Sequence, residues 1–328
     1  MNKIDIKVAV SFPTTYQLVE KVGVLFKEID LIGFNGGYSN QESRYKREFD
    51  SLDIKVNLRR ENYSEINPED YDLLIDSYET RQYNPAWAKL ALNWKIPKIL
   101  KILFKNPEYV KFSDEEFSSF NKGVVSPETL FFAEKAEEKG FKHVFPLFYS
   151  PGPWWFENEW TGEVDKALFL IKVHSLRDTT TVGLSDWGKI AENLPDNTYH
   201  HNGSGQAFKT SKDLAEFCKK FRCYVNLDQG KNARPLCLVF TEMISTGIPP
   251  IVIKRPNTDY HHFIRNGESG FICEDLQEVI SKIEVLIKDR ALAESMSKKT
   301  RQIAYDNFSE EVLKPKWLEA INMAKDIV

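Results

Sequence analysis

The chain has 328 residues, with 44 Lys and Arg against 48 Asp and Glu for a formal net charge of −4, 42% hydrophobic residues and 28% charged ones. That length is about twice a typical domain, so two compact domains of ~150 residues, each with a full core, are expected. The charge balance excludes a generic nucleic-acid footprint, the composition is that of a folded globular chain, and no run of about 18 apolar residues is present to span a bilayer.

Residues 1–150 carry 21 basic and 23 acidic side chains, so neither half is a basic domain. The local exception is the series Lys95, Lys98, Lys101, Lys105 and Lys111, which reads as a solvated edge flanking a strand. The opening MNKIDIKVAVSF has a strand pattern without the apolar stretch and small-residue cleavage site of a secretory signal, which points to the cytoplasm. Cys218, Cys223, Cys237 and Cys273 have no metal-ligand spacing and read as small buried thiols.

In chain order, strands are expected over 6–10, 29–33, 73–77, 99–103, 123–126 and 143–147. Helices are expected over 16–26, 85–93 and 127–139, with Pro127 suited to a first helical turn and Gly140 to a stop. Strands alternating with helices imply a parallel sheet covered on both faces, a Rossmann-like half. The stretch YSPGPWWFENEWTG at 149–162 breaks periodic structure with its prolines and glycines and reads as a linker. Its Trp154, Trp155 and Trp160 suit a packed seam better than a stacking platform for a sugar or base.

A second series of strands is expected over 167–173, 198–201, 223–227, 250–253 and 270–273, followed by helices over 276–288, 292–305 and 310–327. The expected organisation is α/β throughout: an N-terminal Rossmann-like domain (1–150), a linker (151–165), a C-terminal Rossmann-like domain (166–308), and a last helix (309–328) packing back on the first domain. Ligands of open α/β sheets bind beyond the carboxyl ends of the strands, which in two facing domains means the cleft between them.

The most informative stretch is 226–275, NLDQGKNARPLCLVFTEMISTGIPPIVIKRPNTDYHHFIRNGESGFICED. A strand, a short loop and a helix carrying Glu242, then Gly247 and Pro249 leading into the next strand, set loop amides and a helix amino end at the mouth of the cleft. Such a place attracts phosphate, because N–H groups and the helix dipole both favour an anion. The amides of Leu236, Cys237 and Leu238 are the candidate phosphate donors, and Glu242 is placed to accept ribose hydroxyls.

This stretch, T-E-M-I-S-T-G-I-P-P-I-V followed by N-G-E-S-G-F-I-C, resembles the signature of the glycogen-synthase-like retaining glycosyltransferases. The tail DRALAESMSKKTRQIAYDNFSEE is similar to the family's closing helix pair, and the resemblance covers roughly residues 165–328. It implies the GT-B fold, two Rossmann-like domains with a cleft between them, a nucleotide diphosphate sugar as co-substrate, and no metal or other cofactor. The family's Glu-x7-Glu pair matches at its second member, Glu242, but Arg234 stands at the first, which in the family touches the donor sugar. After the first strand of the second domain, HSLRDTTTVG supplies Arg177 for the diphosphate but not the lysine that follows in the family.

Arg177 with Thr179, Thr180 and Thr181 is also similar to a run at the same place in the DNA α-glucosyltransferase of T-even bacteriophages. Hydroxyls beside a guanidinium make sense as donors to phosphate oxygens, and equally the threonines suit a helix cap. Gly203 joins the donor-side candidates; Ser11, Thr14 and Thr15, on the loop after the first strand, are the acceptor-side ones. The six histidines show no catalytic pattern, and the family's histidine after the fourth strand is replaced by Lys105-Asn106-Pro107.

The resulting expectation is an enzyme that moves a hexosyl or pentosyl group from a nucleotide diphosphate sugar, UDP among the candidates, to an acceptor hydroxyl, with Arg177 and Glu242 as its central residues. A hydroxymethylated base in phage DNA is slightly favoured as acceptor over a surface glycan or lipid-linked saccharide. A sugar-nucleotide-binding module with impaired turnover is the alternative of a different class. Oligomeric state is left open.

Overall fold

The computed structural model describes residues 3–11, 25–32, 55–59, 65–77, 90–91, 93–102, 112–127, 129–171, 184–202, 208, 210–227, 236, 238–255 and 258–328. The chain divides into two compact units, Met1–Gly152 with Glu310–Val328, and Pro153–Ser309.

The first unit is built on β1 (Ile4–Ser11), β2 (Phe26–Ile32), β3 (Lys55–Arg59), β4 (Leu73–Ser77), β5 (Lys98–Ile102) and β6 (Val124–Pro127). Among the described residues they form one sheet in the order β3-β2-β1-β4-β5-β6, every pair parallel. Strands covered on both faces read as continuous apolar runs, and Val8, Ala9 and Val10 of β1 are wholly buried, as are Leu73, Leu74 and Ile75 of β4. β3, KVNLR, has only two apolar residues between charged ends and lies at the sheet's edge, where sequence patterning is weakest.

Three expectations are corrected here. Residues 143–147 form no strand; Val144 makes a single bridge to Val125, and although the Phe145 and Leu147 N–H groups donate to the Val125 and Pro127 carbonyls at 2.9 and 3.2 Å, Pro127 has no N–H to give the Phe145 carbonyl and continue the ladder. Pro127 ends β6 instead of opening a helix, and α2 (Leu130–Glu138), which follows α1 (Asp114–Phe120), is capped by Thr129, whose Oγ1 accepts the Phe132 N–H at 3.1 Å. Gly140, at φ 97°, follows the end of that helix as its stop. The helix expected over 16–26 overlaps β2 at Phe26, and its residues 16–24 lie outside the described residues, as do most of those expected over 85–93.

Lys101 is the third correction. Far from lying on a solvated edge, it is fully buried, its Nζ donating to Ser126 Oγ at 2.9 Å and to the Leu147 carbonyl at 2.8 Å. The ammonium also lies 4.6 Å from the centre of the Tyr149 ring and 5.8 Å from that of Trp317, so ring faces and oxygens replace water around it. Trp317 is wholly buried and packs edge-on against Phe26.

The second unit opens with α3 (Pro153–Glu157), a short helix where the sequence suggests only a linker; Pro153 takes its first position, where its missing N–H costs nothing. Trp154 and Trp155 are buried, and α3 packs on α5 (Ser211–Cys218) and α6 (Leu238–Thr246). Trp160 is also buried and donates its indole N–H to the Phe221 carbonyl at 2.8 Å. The strands are β7 (Val164–Ile171), β8 (Thr198–Asn202), β9 (Phe221–Asn226), β10 (Pro250–Ile253) and β11 (Phe271–Cys273), all parallel, in the order β11-β10-β9-β7-β8. The remaining helices are α4 (Leu184–Asn193), α7 (Tyr260–Phe263), α8 (Leu276–Lys288) and α9 (Arg290–Phe308), while α10 (Glu310–Ile327) belongs to the first unit and packs on β5 and β6.

Arg222 of β9 is a buried tie within this unit. Its Nε donates to the Gly162 carbonyl at 3.1 Å, Nη1 to the carbonyls of Leu286 and Ile287 at 3.3 and 3.1 Å, and Nη2 to the Asp165 carboxylate.

α6 turns straight into β10 through Gly247, which sits at φ 87°. A methyl there would lie 2.9 Å from Ser297 Oγ and 3.1 Å from the Ser297 carbonyl oxygen. Gly247→Ala is therefore expected to cost about 2 to 4 kcal/mol, combining the left-handed backbone penalty with overpacking against α9. Chemical denaturation of the variant checks this, and a loss below about 0.5 kcal/mol, the range of ordinary surface changes, rules it out.

Candidate functional site

In the second sheet the strand order reverses between β7 and β9: the chain leaves β7 for β8 on one side and returns to β9 on the other. Such a reversal opens a crevice at the carboxyl ends of the strands, the usual ligand position in an open α/β sheet. The chain leaving β7 runs into 172–183, so Arg177, Thr179, Thr180 and Thr181 lie outside the described residues, as does Gly203 after β8. Arg234 and Cys237, between β9 and α6, also lie outside them.

Leu236, Leu238 and Glu242 are described, and all three are buried. α6 begins at Leu238, so its amino end follows the carboxyl end of β9, and every residue of the helix is buried. A helix buried on all sides must satisfy its polar side chains internally. Thr241 Oγ1 donates to the Leu238 carbonyl at 2.9 Å, Ser245 Oγ to that of Thr241 at 2.7 Å, and Thr246 Oγ1 to that of Met243 at 2.8 Å. Glu242, only 3% exposed, is the one ionisable side chain of the helix, while Met243 and Ile244 fill the core beside it.

One contact here has no sequence signal. Asn226, the last residue of β9, donates its side-chain amide to Tyr260 Oη at 2.7 Å, and the Tyr260 ring packs on Phe240 with centroids 4.8 Å apart. The pair holds α7 against both β9 and α6. It joins residues 34 positions apart through side chains alone, which neither periodicity nor a motif marks. On the far side of the reversal, Trp187 of α4 stacks on Phe169 of β7 at 4.7 Å.

Burial pushes the Cys223 thiol up to about 12. Cys273 also rises to about 12, first through burial and then through the carboxylate of Glu278. Cys223 and Cys273 are therefore protonated packing thiols at neutral pH, not nucleophiles, and Cys218 is likewise buried.

In the first unit the corresponding reversal lies between β1 and β4. Ser11, at the end of β1, is wholly buried, and its Oγ accepts the Ser77 N–H at 3.2 Å, a donor shared with Asp76 Oδ1 at 2.9 Å. Thr14 and Thr15 lie outside the described residues. The structure thus sets Leu236, Leu238 and Glu242 on one segment of the second unit and Ser11 at the reversal of the first. Among the described residues, no helix is long and apolar enough to cross a membrane.

No family model and no curated protein matches the chain. Solved structures do. HepE of Anabaena, in complex with UDP-glucose, has a TM-score of 0.65 and 11% identity, covering 97% of this chain and 100% of its own. A glycosyltransferase from Rickettsia africae scores 0.62 with 13% identity over 99% of each chain. Sucrose-phosphate synthase from Thermosynechococcus elongatus scores 0.62 with 10% identity over 97% of this chain and 98% of its own. With two parallel sheets in Rossmann-like units and a likeness to these enzymes that extends over nearly their whole length, the chain has the GT-B fold.

Proposed function

We propose that the chain is a glycosyltransferase that moves a sugar from a nucleoside diphosphate sugar to an acceptor hydroxyl, with the second unit as the donor half and the first as the acceptor half. The observation that carries this reading is the placement of α6, whose amino end follows β9 beside the sheet reversal and which bears a single buried carboxylate, Glu242. HepE, similar along its whole length, binds UDP-glucose, and this chain shares its fold. UDP is accordingly the first nucleotide to test.

In this reading Arg177 and the amides of Leu236, Cys237 and Leu238 meet the charge of the diphosphate, and no metal is required. Thr179, Thr180 and Thr181 add neutral donors on the same side; Gly203 and Arg234 border the nucleotide and the sugar. Stabilising the leaving diphosphate is the main catalytic effect. The bond from the anomeric carbon to the phosphate oxygen breaks, and the bond from that carbon to the acceptor oxygen forms. The acceptor's proton passes to the departing phosphate, so configuration is retained without a protein base. Ser11, Thr14 and Thr15 serve the acceptor side.

Glu242 accepts the ribose hydroxyls. Glu242→Gln keeps the shape and turns a charge-assisted hydrogen bond into a neutral one of about half the strength, so UDP affinity should fall by about 1 kcal/mol, roughly fivefold. If Glu242 served only its own helix, the variant would lose melting temperature and keep its affinity. Calorimetric titration of UDP, paired with a melting curve, separates the two. Turnover is then assayed with hydroxymethylated DNA and with simple saccharides as the two acceptor arms. Nucleotide binding without transfer to either would favour a binding module, a reading to which Arg234, in place of the family's glutamate, lends some weight.

A further inference from the structure

A cavity of about 390 Å³ opens at the carboxyl ends of β10 and β11, wholly within the second unit. Its apolar lining includes Val252 and Ile272; its polar lining includes Lys254, Arg255, His261 and Asn266. Neighbouring strands lie about 4.8 Å apart, so this crevice is two strand spacings, on the order of 10 Å, from the reversal between β7 and β9. It is therefore beside the nucleotide position proposed above and not on it.

The polar groups around it are unequally satisfied. Glu274, the one carboxylate of the lining, is taken up by Lys254 at 2.7 Å. Asn266 accepts the Ile272 N–H through Oδ1 at 3.0 Å, which leaves its amide nitrogen as the donor end. Arg255 has less. Among the described residues its nearest carboxylate, Asp186, is 3.9 Å from Nη2, beyond hydrogen-bond reach, and its buried Nε has no partner. A buried guanidinium N–H without an acceptor carries a desolvation cost that a ligand oxygen would remove. The backbone at Arg255 is itself held, since Thr258 Oγ1 donates to the Arg255 carbonyl at 3.1 Å.

We infer that this cavity is a binding site for a small anionic sugar, with its phosphate or carboxylate oxygens on Arg255 and Asn266 and its ring over Val252 and Ile272. Donors without matching acceptors select a ligand rich in acceptors, and guanidinium suits oxyanions geometrically. The volume lies within the range of small-molecule pockets. Such a ligand is either a free sugar phosphate or the acidic sugar of a nucleotide donor, and the two sources share the same contact chemistry.

The test is calorimetric titration of the full chain and of Arg255→Gln with glucose 1-phosphate in saturating UDP, with UDP-glucuronate against UDP-glucose, and with glucose as the neutral control. A free-ligand site gives glucose 1-phosphate binding in the presence of UDP that Arg255→Gln weakens at least tenfold. A donor-sugar site gives that loss for UDP-glucuronate while UDP-glucose is unchanged. The inference is overturned if glucose 1-phosphate binds the parent chain no better than glucose and UDP-glucuronate no better than UDP-glucose, or if Arg255→Gln, with an unchanged melting temperature, leaves both affinities as they were. Should Arg255→Gln fail to fold, Asn266→Asp, which keeps the acceptor for the Ile272 N–H and removes the donor end, replaces it with a threefold loss as the threshold. UDP affinity itself is the separate readout of the nucleotide site, so failure here and failure there are distinguishable.

Discussion

Arg222→Met should lower the stability of the second unit by about 2 to 4 kcal/mol. The guanidinium is almost wholly buried and joins β9 to Gly162 and Asp165 ahead of and within β7, and to the last turn of α8. Methionine keeps the stem's packing but donates nothing. Gly162 retains a partner in Arg290, whose Nη1 donates to it at 3.2 Å, and Asp165, two-thirds exposed, turns to water. The loss therefore falls on the carbonyls of Leu286 and Ile287, at about 1 to 2 kcal/mol each. Arg222→Lys, with a point charge in place of the fork, should recover only part of it. Urea unfolding of the three proteins measures this, and a methionine variant within about 0.5 kcal/mol of the parent rules it out.

The parallel strands were legible because burial on both faces leaves few polar interruptions: the readings at 73–77 and 250–253 coincide with Leu73–Ser77 and Pro250–Ile253. β3 was hidden by the charged ends of an edge strand, and α3 by the two prolines just ahead of its tryptophans. The run at 143–147 does lie along β6, but Pro127, which has no N–H, stops the ladder after one bridge. The α/β class and the Rossmann-like halves followed from alternation, and the GT-B expectation came from the motif around Glu242.

For the candidate site, legibility stopped where contacts depend on side chains meeting from distant elements. The run from Leu236 to Glu242 could be placed at the start of a helix, because strand, loop and helix are local in sequence. The bond from Asn226 to Tyr260, the burial of Lys101 beneath two aromatic rings, and the position of Arg255 at a cavity could not be. A lysine or arginine reads as a surface residue until the sheet around it is built, and its partners here are carbonyl and hydroxyl oxygens or ring faces, none of which stands out as a charge partner in sequence.

Arg177→Ala is expected to weaken donor binding by about 2 to 4 kcal/mol, roughly 30- to 700-fold, the scale of removing one partner from a desolvated charge pair. The stretch 172–183 leaves the carboxyl end of β7 at the reversal of the second sheet, and Arg177 is its one arginine. Lys172 is the only other basic residue there besides His174. A diphosphate carries its charge on several oxygens, so a planar guanidinium that contacts two at once is worth more than a single ammonium. Arg177→Lys should accordingly fall between the parent and Arg177→Ala. Because the leaving diphosphate gains charge as the glycosidic bond opens, kcat should fall together with affinity. Titration of UDP and UDP-glucose against the three proteins, with melting curves to establish folding, measures the effect. Equal affinity of the parent and Arg177→Ala for every nucleotide that binds the parent would remove Arg177 from the site and leave the amino end of α6 as the remaining candidate for the diphosphate.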